Sequence, residues 1–282
     1  MTIKDVFGAD GPFARFGTLL FDIIYVDFLW LVLGGPMLIF FARMLPVEGS
    51  GFLLFIVWML IFIGVLHAGP GTTAAYAAMG KRMRGEDSYI FKDFWKSYRQ
   101  NYKQGLIVSL IVLIVGAVLG EAMWMVLEYM ELIGGMFYIV FPVQCFVAAE
   151  IVMTTSYAFP LLARFDMKTG ELLKNAALMA NKHLPTSLLN AAILAGCLYV
   201  VFFLNIGAAI LMFGVYFALS SLTLERVFRQ YMEPEDVLSP EEVEALGQTK
   251  VQLEEPSAKE KAARDKERQE IIDKYTRKIN KN

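Results

Sequence analysis

The uneven spread of charge along the chain limits its possible folds more than any other feature. Charged residues thin out across 17–66, 104–163 and 184–224 and crowd into 80–103 and 225–282, although the formal net charge of the 282 residues is only −2. Hydrophobic residues make up 56% of the chain, above the roughly 45–50% of a soluble domain. A helix crosses the hydrocarbon layer with roughly 20 mostly apolar residues. Stretches at about 17–42, 52–79, 105–127, 136–162, 186–204 and 206–223 supply that length. The expected fold is all-α: a polytopic membrane bundle of six transmembrane helices over 1–231, with two cytoplasmic amphipathic helices. A charged, helical cytoplasmic tail follows over 232–282.

Basic residues orient the bundle. Lys81, Arg82, Arg84, Lys92, Lys96, Arg99 and Lys103 follow the second apolar stretch, and Arg164, Lys168, Lys174 and Lys182 follow the fourth. Arg226 and Arg229 follow the sixth. The alternate connections hold only Arg43, then no Lys or Arg in 121–135, then none at 205. Both termini are therefore expected in the cytoplasm of a cell that carries this protein in its cytoplasmic membrane. The N-terminal segment lacks a basic patch, short apolar run and small-residue cleavage site, and reads as a retained anchor. Cys145 and Cys197 lie inside apolar stretches and read as small core residues.

Residues 67–105 join the most signals. His67 and Gly69-Pro70-Gly71 interrupt the second apolar stretch and predict a helix break, with Thr72 or Thr73 capping the restart. Beyond the basic turn, Phe91, Phe94, Trp95, Tyr98 and Tyr102 fall on one face of a helix, and Lys92, Lys96, Arg99 and Lys103 on another. That pattern suits a helix lying in the plane of anionic lipid head groups; packing on the protein's own loops is the alternative. Elsewhere, Gly34-Gly35-Pro36 should kink the first span, and Gly116 with Gly120 permits a close helix approach in the third. In the tail, Ser239-Pro240-Glu241-Glu242 forms a capping box with Leu238 and Val243 as a staple, and Ser257 opens a second charged helix. A weak internal echo repeats span, basic turn, amphipathic helix and span, with Gly85-Glu86 and Gly170-Glu171 in its two turns.

The chemistry on offer is sparse. Two histidines without a metal-binding pattern, no nucleophile elbow and a P-loop near miss at 75–81 argue against an enzyme, a metal centre or a cofactor. Nothing points to nucleic acid. The candidate polar site is Asp22, Asp27, His67 and Glu150, all placed within apolar stretches, where ionisable groups are costly unless paired, neutralised or facing water. Asp22 and His67 are expected at similar depths, and Glu150 and Asp27 hydrogen-bonded to neighbouring helices such as that of Asn190.

Several of these residues resemble the YesL-like family of bacterial integral membrane proteins. The likeness rests on Gly11-Pro12-Phe13, Asp22 with Asp27-Phe28-Leu29-Trp30, GPGTTAAY at 69–76, the stretch 84–105 and the stretch 156–185. The family pattern carries Asn where this chain has Asp27. The resemblance implies a cytoplasmic-membrane protein associated with carbohydrate uptake and polysaccharide use, and brings no catalytic residue. Two functions compete. One is a non-catalytic accessory or regulatory component working with carbohydrate ABC transporter subunits or another membrane protein. The other is a small transporter using Asp27, Glu150 and the broken second span.

Overall fold

The computed structural model describes residues 12–45, 51–86 and 88–232. Among them every regular element is helical, and six helices are long and apolar enough to cross a membrane. We number them α1 (Pro12–Leu33), α2 (Pro36–Met44), α3 (Gly51–Met83), α4 (Ile90–Gln100), α5 (Tyr102–Glu128), α6 (Phe137–Arg164), α7 (Thr169–Lys182), α8 (Leu184–Tyr199) and α9 (Ala209–Phe228). The chain divides into two compact units, Met1–Val227 and Phe228–Asn282. Of the second, residues 228–232 are described: the last residue of α9 and a 3-10 turn at Arg229–Tyr231. The capping box at Ser239 and the helix expected from Ser257 lie outside the described residues.

The first span is divided rather than kinked. Gly35 adopts φ 95°, a left-handed conformation that glycine takes at little cost, and Pro36 starts α2 at its first turn, where a missing N–H matters least. The expected break at Gly69-Pro70-Gly71 does not occur. α3 runs continuously from Gly51 to Met83 with Pro70 inside it. The three residues instead form a packing seam. A Cβ on Gly105 of α5 would stand 2.9 Å from the Pro70 nitrogen, and one on Gly69 would collide with Ser109 and the Gly105 carbonyl. Pro70 forgoes one intrahelical hydrogen bond, and the close crossing with α5 holds the helix in line. Thr73 does not cap a restart; its hydroxyl donates to the Gly69 carbonyl at 2.9 Å within the same helix. Gly116 and Gly120 meet nothing within 4 Å, so the close approach expected there falls at Gly69 and Gly105 instead.

The amphipathic segment also differs from expectation. α4 ends at Gln100, and Tyr102 opens α5, so the aromatic face belongs to two helices. α4 and the start of α5 are tied along the last turns of α3, at one end by Lys81 to Asp93 of α4 (2.8 Å) and at the other by Tyr102 of α5 to His67 (2.9 Å). Between those two ties α3 rises about 21 Å. Phe94 is fully buried against protein, and the Tyr98 hydroxyl donates to the Leu33 carbonyl at 3.1 Å. Only part of the face, Phe91 and Trp95, stays exposed, their rings stacked 6.5 Å apart. Lys92, Lys96, Arg99 and Lys103 are exposed as well.

The internal echo has a structural counterpart. A long helix, a turn, a short amphipathic helix and a span occur in order as α3–α4–α5 and again as α6–α7–α8. The turns differ, because Gly85 has φ 76° whereas Gly170 lies within α7. Leu172, Ala176 and Ala180, four residues apart, form the buried stripe of α7. The last hairpin turns at Asn205, between a π-helical end of α8 and a 3-10 turn leading into α9. Cys197 is buried as expected, but Cys145 is exposed on α6 and is not a core residue.

Candidate functional site

At the basic ends of the long helices, charged side chains from five helices form a layer. Asp22 of α1 lies 2.6 Å from Arg82 Nε of α3. That nitrogen has no hydrogen bond of acceptable angle, so the contact is an ion pair rather than an aligned hydrogen bond. Lys81 holds Asp93 of α4. Arg84 contacts Glu86, and its Nη1 lies 3.8 Å from Glu225 Oε2 of α9. Arg164, the last residue of α6, also binds Glu225, with a second contact of 3.3 Å between Nη2 and Oε1. The arginines at the ends of α3 and α6, the two echo-related long helices, therefore meet on one carboxylate. All three side chains are at most 18% exposed, so this contact is screened less than a surface pair.

Burial raises the affinity of Asp93 for its proton, but the hydrogen bond and charge of Lys81, with help from Ser88 and the Tyr89 amide, outweigh it and hold the carboxyl below its usual range. A depressed carboxylate stabilises the fold fully above the unfolded value of about 4 and loses that contribution as pH falls through the lowered folded value. Hydrogen exchange across 88–100 should thus stay slow at mildly acidic pH and accelerate only in stronger acid. Asp93→Asn should exchange faster at neutral pH and show no such step. Burial, and then the neighbouring Tyr102, push the Tyr98 hydroxyl up to about 12, so it remains a neutral donor to Leu33 at any physiological pH.

Beneath the charge layer lies a cavity of about 290 Å³. It is lined from every span, for instance by Trp30, Tyr76, Val112, Thr155, Leu194 and Phe213. Trp30 is pinned by donating its indole N–H to Thr72 at 3.0 Å, and its ring packs on Phe213 at 4.7 Å. Tyr76 meets Phe217 at 5.2 Å, and its hydroxyl pairs with Ser220 at 3.1 Å. Aromatic and aliphatic side chains with a few hydroxyls make up the wall, and among the described residues no charged one lines it.

The four polar residues predicted from the sequence are not brought together. Asp22 belongs to the charge layer, whereas His67 sits about 22 Å along α3 from Arg82, so the two do not share a depth. His67 Nδ1 lies 2.9 Å from the Ile63 carbonyl, which can only accept; in the neutral ring Nε2 then accepts from Tyr102. Asp27 is fully buried, and Oδ2 accepts the Gly214 N–H of α9 at 3.0 Å, while Oδ1 has no hydrogen-bond partner among the described residues. Glu150 Oε2 accepts from Asn181 of α7 at 3.0 Å. Asn190 is not the partner of either acid; its side-chain carbonyl accepts from Thr223 at 2.6 Å. Sequence reasoning missed Glu225 and Asn181. A lone acid in the last basic turn of an apolar span was the available signal for Glu225, and nothing local marked Asn181. Among the described residues no three His, Cys, Asp or Glu side chains form a group that could hold a metal ion.

A protein-family profile described as "Protein of unknown function, DUF624" matches residues 52–120. This stretch covers α3, α4 and most of α5, including the Gly69–Gly105 seam and the clasp between Lys81 and Asp93. Comparison with curated proteins and with solved structures gives no match.

Proposed function

We propose that this chain is a multi-pass protein of the cytoplasmic membrane, of the YesL-like kind, with both termini in the cytoplasm. It acts as a non-catalytic accessory or regulatory component of carbohydrate uptake. One observation carries the non-conducting part of this reading. Asp22, Asp27, His67 and Glu150 stand apart, each engaged by another helix or its own backbone, and none of the four lines the central cavity. A sugar path needs many convergent hydrogen-bonding groups, because each buried hydroxyl left unpaired is costly, and the mainly aromatic and aliphatic cavity wall offers few. The link to carbohydrate rests on the resemblance of the stretches 69–76, 84–105 and 156–185. The exposed lysines and stacked aromatics of α4 fit contact with anionic head groups, each Lys or Arg adding about 1 kcal/mol near such a surface.

A small transporter is the second reading, favoured by the convergence of all six spans on one cavity. The two separate in a paired experiment. On the accessory reading, affinity purification from mild detergent brings down carbohydrate ABC transporter subunits, and proteoliposomes of the protein alone take up no labelled oligosaccharide. Uptake by the protein alone that is lost in Asp27→Asn or Glu150→Gln would make the transporter reading the better one.

A further inference from the structure

Beside the central cavity lies a second cavity of about 210 Å³, and Val112, Ile151 and Thr155 line both. As a pair they make a crevice lined from Trp30 at one end to Leu173 of α7 at the other. Its lining is mainly apolar or aromatic, and among the described residues Glu150 is its one charged member. Glu150 is half-buried. Asn181 occupies Oε2, and among the described residues Oε1 has no partner. Glu150 lies about 21 Å along α6 from Arg164 and meets the end of α7 through Asn181. The amphipathic α7 runs from Thr169 to Lys182 and brings its exposed, polar C-terminal turn to this level.

A crevice that is apolar within and carries one carboxylate at its polar edge fits an amphiphile with a hydrogen-bond-donating cation. We propose that it binds a bilayer lipid with a primary-ammonium head group, the hydrocarbon chain reaching towards Trp30 and the ammonium meeting Glu150. The choice of head group follows from the acid. A carboxylate repels an anionic lipid, and a quaternary ammonium has no N–H to give it. The inference is independent of the accessory reading, since a lipid can occupy the crevice whichever partner the protein serves.

Trp30 reports occupancy directly. With Trp58, Trp95 and Trp124 replaced by Phe, the full-length detergent-purified protein retains Trp30 as its one tryptophan. It is titrated with lipids carrying brominated chains and either ethanolamine or choline head groups. Expected is saturable quenching of Trp30, with about fivefold tighter half-saturation for ethanolamine, the size of a partly exposed ion pair. Glu150→Gln should abolish that preference while leaving quenching by either lipid. Val112→Phe, at the junction of the two cavities, should remove the quenching. If that variant is not monodisperse, Thr155→Leu, which narrows the same junction, replaces it. Quenching that rises without saturation, or persists in the plugged variant, overturns the chain site. Equal binding of the two lipids by the parent, or a preference unchanged in Glu150→Gln, overturns the assignment of the head group.

Discussion

Replacing Glu225 with alanine should cost about 3 kcal/mol of stability, in the range for removing one partner of a largely buried ion pair. The carboxylate faces Arg84 and Arg164 at once, so its loss leaves two guanidinium groups close together, still shielded from water and without the anion between them. Glu225→Gln keeps an acceptor but not the charge and should cost less. A cycle with Arg164→Leu makes the test specific. Once Arg164 is gone, removing Glu225 should cost markedly less than it does in the parent, because fewer charges are orphaned. Thermal unfolding of detergent-purified protein, followed by tryptophan fluorescence, reads all four corners. Equal costs with and without Arg164 would show that the two do not act as a unit.

The second large effect is expected at the seam between α3 and α5. Gly69→Val should destabilise by about 3 kcal/mol or prevent folding, since overpacking a close contact commonly costs 1–3 kcal/mol even where side chains can yield. Here one obstacle is backbone: a Cβ at Gly69 runs into the Gly105 carbonyl, and one at Gly105 runs into the Pro70 backbone. Gly116→Ala and Gly120→Ala should do the opposite. Both positions are helical and open, so alanine gains up to about 1 kcal/mol of helix preference without a clash. The same unfolding assay compares them. Similar losses at Gly69 and Gly116 would mean that the crossing lies elsewhere.

These two sites also mark the limits of the sequence as a guide. Charge-poor stretches of the right length identified the six spans, and the moment of 88–104 identified an amphipathic helix, because both depend on residues near one another in the chain. Whether Gly69-Pro70-Gly71 breaks a helix depends on Gly105 and Ser109 of another span. A local reading sees a missing hydrogen bond and two flexible residues, and cannot see the neighbour that holds them straight. The same reason hid the partner of Asp27, the Gly214 amide, at a sequence separation of 187. Glu150 appeared marooned in mid-span until α7 folded back to bring Asn181 beside it. The ionisable residues were legible one by one; their separation into a charge layer, a histidine–tyrosine pair, a helix-facing acid and a crevice edge was not.

The orientation of the bundle decides whether the charge layer and α4 face the cytoplasm, as the proposed function requires. Single cysteines read it directly in a background of Cys145→Ser and Cys197→Ala. In intact cells, cysteines placed at Glu131 and at Asn205 should react with a membrane-impermeant maleimide, while one at Ser257 should react only after the cells are opened. Labelling of Ser257→Cys from outside, with Glu131→Cys and Asn205→Cys protected, would contradict the account.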